Sequence, residues 1–159
     1  AKTLSRKVFN QRKKGTKFME DRAQRINAWS KVVIGAAIEV HKCLGPGLLE
    51  SIYEDCLKME LEQRGLHVET QVNVPVIYKG VDTKKHFRLD MLIEDEIVVE
   101  LKAVDVLLPV HEVQLVTYLK LTDKRLGLLI NFNVPILKDG IKRRVNGLYE
   151  YTGIKPIRD

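Results

Sequence analysis

Three charged residues stand where strand cores are normally apolar. Within RLDMLIEDEIVVELK, residues 88 to 102, Asp90 interrupts one apolar run, and Glu100 and Lys102 interrupt the next. Burying a charge is costly unless it is paired or put to use. Strand side chains alternate between faces, so Glu100 and Lys102 share one face and Val99 and Leu101 take the other. On the preceding run Phe87, Leu89, Met91 and Ile93 form one apolar face, with Arg88 and Asp90 opposite. A three-residue loop, Glu94-Asp95-Glu96, would pair Ile93 with Ile97 and set Asp90 across from Glu100. Directly opposed residues hold their β-carbons about 5 Å apart. A two-residue loop would put Asp90 on the wrong face, so the arrangement depends on loop parity.

Two carboxylates this close repel unless something positive lies between them. Hard oxygen ligands with open positions suit Mg²⁺ or Mn²⁺, as one ion or two. A lysine beside them would hold or activate a water, or offset charge developing on a phosphate. The competing reading is a solvated hairpin face with a cross-strand salt bridge from Lys102 to Asp90.

The elements that must position this cluster follow from periodicity. Ile26, Trp29, Val33, Ala36, Ala37, Val40 and Leu44 recur at helical spacing over residues 20 to 44. Gly45-Pro46-Gly47 stops that helix. A second helix spans about 48 to 64, ending at Gly65. Val68, Thr70, Val72, Val74 and Val76 alternate as a half-buried strand, and Gly80 marks a turn. Strands follow at 85 to 93 and 97 to 103. Pro109 suits the first turn of a helix over 110 to 122. RLGLLINFNV reads as a strand buried on both faces, and KDGIKRRVNG as a turn and a last edge strand. The order ααβββαββ predicts an α+β (or α/β) domain with a mixed sheet.

The chain has 159 residues, 45% hydrophobic and 30% charged, which suits one domain, residues 19–150, with a real core. Its net charge of +6 is unevenly placed: residues 1–31 carry +8 and the rest −2. The basic arm, residues 1–18, includes Arg12, Lys13 and Lys14 and reads as a phosphate-contacting tail or a solvated, partly disordered extension. Met19 offers an alternative start. Residues 151–159 read as a C-terminal tail. No apolar run approaches a membrane span and no signal peptide is visible, so no membrane association is expected. Cys43 and Cys56 are too few for a four-cysteine metal site and read as buried free thiols, which points to a reducing, cytoplasmic setting. There is no glycine-rich phosphate loop, no G-x-S-x-G elbow and no zinc-like histidine spacing.

The residues also carry a resemblance. Asp90 followed by Glu100-Leu101-Lys102 resembles the core of the PD-(D/E)XK nucleases, with Leu89 in place of the proline. GLLESIY (Gly47, Glu50, Tyr53) resembles the signature of the GxxExxY family, a branch of that superfamily. The likeness continues through AAIEVHKCLGPGLLESIYE, VELKAVDVLLPVHEVQLVTYL and GLLINFNVPILKDGIKRRVNG, about residues 30 to 148. It implies a metal-dependent nuclease acting on nucleic acid, most simply DNA. Asp90, Glu100 and the Leu101 carbonyl would bind Mg²⁺ or Mn²⁺, and Lys102 would position or activate water. Glu50 resembles the helical acid that completes such sites, although an acid in a first helical turn is favourable without any metal. Tyr53, on the same face, would orient Glu50 or simply pack. Gln114 and Tyr118 match the QxxxY element of RecB-type exonucleases: Gln114 near the metal or scissile phosphate, Tyr118 against DNA or bracing the site. His111 shares their face. His41 lies in the family's EVHK segment but also on the apolar face of its helix. Two further readings are a nucleic-acid or ribonucleoprotein binding module that does not cut, using the arm, and a self-associating accessory subunit. A small nuclease that cuts both strands would be expected to form a homodimer.

Overall fold

The glycine-proline stop divides the helical part of the chain as its chemistry requires. The computed structural model describes the backbone of residues 2–147 and the side chains of residues 11–147. Helix α1 (Lys2–Leu44) ends where Gly45 takes a left-handed φ of 71°, and α2 (Glu50–Gln63) starts beyond the turn. Tyr53 fixes that turn: its hydroxyl donates to the Gly45 carbonyl (2.6 Å) and accepts from the Leu48 N–H (3.1 Å). The first helix starts well before residue 20. The arm is rich in Lys and Arg, both good helix formers, and Gly15 alone does not break it. The arm, read from sequence as an extension, is therefore continuous helix with the rest of α1. The tail at 151–159 lies outside the described residues.

The sheet runs β1 (Val68–Tyr78), β2 (Val81–Ile93), β3 (Ile97–Lys102), β4 (Leu126–Asn131), β5 (Ile141–Val145), in that spatial order. Among the described residues only β3 and β4 pair in parallel, and α3 (Pro109–Thr122) is their crossover; a short 3-10 helix, Leu137–Gly140, precedes β5. This is the mixed α+β sheet expected, with β4 buried along its whole length. α1 and α2 cover one face, packing Ile26, Val33, Tyr53, Leu57 and Leu61 on Met91, Ile93, Val99 and Leu101. On the other face the α3 residues Leu115 and Leu119 meet Leu89, Leu92, Val98 and Leu129.

Two expectations need correction. Cys43 is exposed and Cys56 only half-buried, because neither falls on the stripe of α1 or α2 that faces the sheet. More consequential, Phe87 and Leu89 do not share a face with Met91 and Ile93. The first two pack under α3 and the last two under α1 and α2, so β2 turns over at Asp90. The cause lies on β1: Gln71, the residue that would face Asp90, has φ 52°, and the pairing skips from Thr70–Met91 to Val72–Leu89. A left-handed residue in a strand breaks the ladder locally and sharpens its twist.

Candidate active site

The β2–β3 connection is the three-residue loop Glu94-Asp95-Glu96, and Ile93 pairs Ile97. Each loop acid has a partner. Glu94 accepts from the His67 N–H (2.7 Å), Asp95 pairs with Lys124 (3.1 Å), and Glu96 takes both Nε and an Nη of Arg22 from α1 (2.7 and 2.8 Å). Those contacts hold the loop length, and the loop length sets which side chains meet.

Asp90 stands where this ladder ends. The last pair is Met91–Val99. Beyond it, side chains replace backbone partners: the Asp90 N–H donates to Glu100 Oε1 (3.2 Å) and the Leu101 N–H donates to Asp90 Oδ2 (2.8 Å). Each carboxyl is thus anchored on the other strand, which brings the two groups together. The N–H and C=O of one strand residue point the same way. The Leu101 carbonyl therefore faces the same gap as its N–H. The cluster is not at an outer edge of the sheet but where β2 and β3, its middle strands, part.

Glu100 is 7% exposed. Burial, then the charge of Asp90, pushes its carboxyl up to about 9, while Lys102 pulls it the other way. Lys102 is half-buried, and among the described residues no ion pair joins it to Asp90, so the salt-bridged hairpin face is not what forms. Tyr118 stacks on Phe87 (centroids 4.5 Å apart), and its hydroxyl is pushed up by burial and by the charges of Glu100 and Asp90. It lies near the acids and braces β2. Gln114 is exposed one turn away on α3. The His111 Nδ1 accepts from the Leu108 N–H (3.1 Å), which fixes the start of α3.

On the α2 side a cleft of about 510 Å³ opens, lined by Glu50, Glu54, Gln71, Asp90, Leu101 and Ala103 among others. Glu50 comes from the N-terminus of α2 and accepts from the Ala103 N–H (3.3 Å). Glu54 accepts from Gln71 Nε2 (2.8 Å); burial raises its carboxyl, the Gln71 hydrogen bond opposes this, and the charge of Asp90 adds to it. Sequence reasoning missed Glu54, although its place four residues after Glu50 put it on the same helical flank. It also missed Gln71, which carries no local signal, and Asn131. Asn131 is buried opposite Lys102, accepts from the Val104 N–H (3.1 Å) and donates to the Val104 carbonyl (2.8 Å). It fixes the chain just after Lys102, and a lone Asn closing an apolar run was the available hint.

Two of the sequence candidates do not reach the cluster. Tyr53 is fully buried, stacked on Phe132 (4.4 Å), with its hydroxyl committed to the helix stop. His41 is buried, its Nε2 2.8 Å from the Val134 carbonyl, beside the β4–β5 connection. Both are packing residues. Arg12, Lys13 and Lys14 are exposed on the early part of α1.

Among the described residues no three His, Cys, Asp or Glu side chains are grouped as a metal cage. Mg²⁺ does not need one, since it keeps several waters and takes one or two carboxylates. Asp90 and Glu100 each commit one oxygen to a backbone N–H, which leaves one oxygen of each for the pair to share. Adjacent acids in that state require a proton or a cation between them. With the Leu101 carbonyl in the same gap, the donor set fits a hard divalent ion.

Comparison with known proteins agrees at the level of the superfamily. Searches of the curated proteins and of the solved structures find no match. A family model described as the PD-(D/E)XK nuclease superfamily matches residues 27–144. The matched span contains Glu50, Asp90, Glu100, Lys102, Gln114 and Tyr118, the fold is consistent with it, and the chain belongs to the PD-(D/E)XK nuclease superfamily.

Proposed function

We propose that this protein is a nuclease of the GxxExxY branch that hydrolyses phosphodiester bonds in DNA with Mg²⁺ or Mn²⁺. Members of the superfamily are generally nucleases and usually use divalent ions. The observation that carries the reading is the meeting of Asp90 and Glu100 beside Lys102 at the end of the β2–β3 ladder. Asp90, Glu100 and the Leu101 carbonyl would hold the ion. When bound, it would lower the pKa of water and neutralise charge on the phosphate. Lys102 orients the attacking water and offers positive charge to the pentacovalent phosphate. Glu50 holds the chain after Lys102 through the Ala103 N–H and keeps a carboxylate oxygen toward the cleft. Tyr118 fixes β2 from the α3 side, and Gln114 donates to the substrate backbone. Arg12, Lys13 and Lys14 add contacts to phosphates. A homodimer, with one centre for each strand, in the cytoplasm completes the proposal.

The test is cleavage of plasmid and linear DNA with Mg²⁺ or Mn²⁺ by wild type, Glu100→Ala and Lys102→Ala. Loss in both variants supports the assignment. Equal cleavage by all three removes it, since contamination would then explain the activity. The second reading, a module that binds without cutting, draws on the exposed basic arm. It requires salt-sensitive binding that disappears without residues 1–18, and no cleavage with any metal.

A further inference from the structure

The β1–β2 hairpin reaches beyond the core that its inner half helps to build. Residues 68–76 and 87–93 contribute to the two hydrophobic clusters, but residues 77–86 are all exposed. Among the described residues this outer half joins neither hydrophobic cluster, and a lone two-stranded ribbon is only marginally stable in water. Its composition is not neutral. Lys79, Lys84, Lys85 and, just inside them, Arg88 stand against one acid, Asp82. Ile77, Tyr78 and Val81 expose 53%, 64% and 66% of their surfaces at the tip.

The lysines are presented by a built feature. Pairing jumps from Ile77–Asp82 to Pro75–His86, so Val76 faces three residues, Thr83, Lys84 and Lys85. The bulge is tied down by Thr83 Oγ1 donating to the Val76 carbonyl (2.7 Å). The Lys85 N–H donates to Thr83 Oγ1 (3.2 Å) and the Lys84 N–H to Asp82 Oδ1 (2.8 Å). Lys84 takes φ 60° there, which turns its side chain away from the regular alternation. Bulges beside active sites commonly re-aim side chains in this way. Lys84 touches Asp82 only at 3.7 Å with 86% of its side chain exposed, and Lys79 lies over the Tyr78 ring at 5.4 Å. Lys85 and Arg88 make no ion pair among the described residues.

On these grounds, and resting on the nuclease reading above, we infer that the outer β1–β2 hairpin is a DNA-gripping finger that enters the major groove of duplex DNA beside the scissile phosphate. Charge complementarity with phosphates and continuity with Asp90, two residues beyond Arg88 on the same strand, support this occupant. The groove admits a two-stranded ribbon and is about 8.5 Å deep. The outer half of the ribbon, three residue steps on β1 from Pro75 to Tyr78, extends roughly 10 Å before its turn. A-form RNA offers a narrow major groove that such a finger cannot enter.

The experiment measures binding of the full chain to a short labelled DNA duplex, the matching single strand and an RNA duplex, in EDTA over a series of salt concentrations. Lys79→Ala/Lys84→Ala/Lys85→Ala is compared with wild type and with Lys42→Ala/Lys58→Ala, which removes two lysines from the α1–α2 side. The hairpin variant is expected to bind duplex DNA about tenfold or more weakly, with a salt slope smaller by roughly two to three. The control variant and the melting temperatures of all three proteins should stay near wild type. An unchanged affinity and slope overturns the inference, and so does an equal loss on single strands and RNA. If Glu100→Ala still cuts DNA, the nuclease reading fails, while the hairpin is judged by binding alone.

Discussion

Replacing Glu100 by glutamine should stabilise the metal-free protein while removing its ability to bind the metal. In the fold the Glu100 carboxyl is raised from 4.5 to about 9, chiefly by burial and then by Asp90. The folded state therefore keeps a proton that the unfolded chain releases above about pH 4.5. Stability linked to this group is complete below that point and falls as pH rises, until the folded carboxyl itself ionises near 9. The full shift corresponds to a ceiling of about 6 kcal/mol, and at about pH 7.5 to about 4 kcal/mol. Relaxation and water entry reduce such ceilings, so Glu100→Gln should gain about 1–3 kcal/mol at about pH 8 and almost nothing at about pH 4. Urea titrations at these two pH values, in EDTA and in Mg²⁺, make the comparison. Wild type should lose stability as pH rises in EDTA and recover it with Mg²⁺; the variant should do neither and should cut no DNA. A wild-type stability that is flat with pH, together with no gain in the variant at about pH 8, would refute the buried-pair argument.

Lys102→Met should cut DNA about 10²–10³-fold more slowly, with Mg²⁺ affinity at or above that of wild type, because the ion site loses a neighbouring cation; titration calorimetry and cleavage rates separate the two effects, and wild-type rates would exclude Lys102 from the chemistry. Gln71→Gly keeps the left-handed φ at little cost, whereas Gln71→Val at φ 52° should lose about 1–3 kcal/mol and weaken metal binding through Asp90; equal effects of the two substitutions in denaturation would show that the kink does not matter. Gly127→Ala would set a β-carbon 2.7 Å from Leu115 Cδ1, pushing α3 off the sheet. It should cost about 1–3 kcal/mol and lower cleavage together with stability, and Leu115→Val should recover part of both; no recovery would argue against this contact as the cause.

Much of this protein could be read from its residues in order. The alternation of Val68 to Val76, the helical stripe from Ile26 to Val40, the Gly45-Pro46-Gly47 stop and the unbroken apolar run of β4 are local patterns, and each set its element. The meeting of Asp90 and Glu100 was also within reach, because a three-residue loop and a period of two leave only one register. Local pattern failed where distant chain was decisive. The turnover of β2 at Asp90 follows from a left-handed Gln71 on a different strand, held by Glu54 on a helix. Burial of Glu100 needs α3 packed over it, and the position of Lys102 needs Asn131 holding Val104 from the parallel strand. Tyr53 and His41 were drawn to packing for the same reason: the partners that satisfy them, Phe132 and Val134, lie some eighty to ninety residues away. Side-chain type and spacing determined which groups were available for chemistry. Which of them share a site, and in what state of charge, depended on desolvation and hydrogen bonds that exist only once the sheet and its two helical layers have closed.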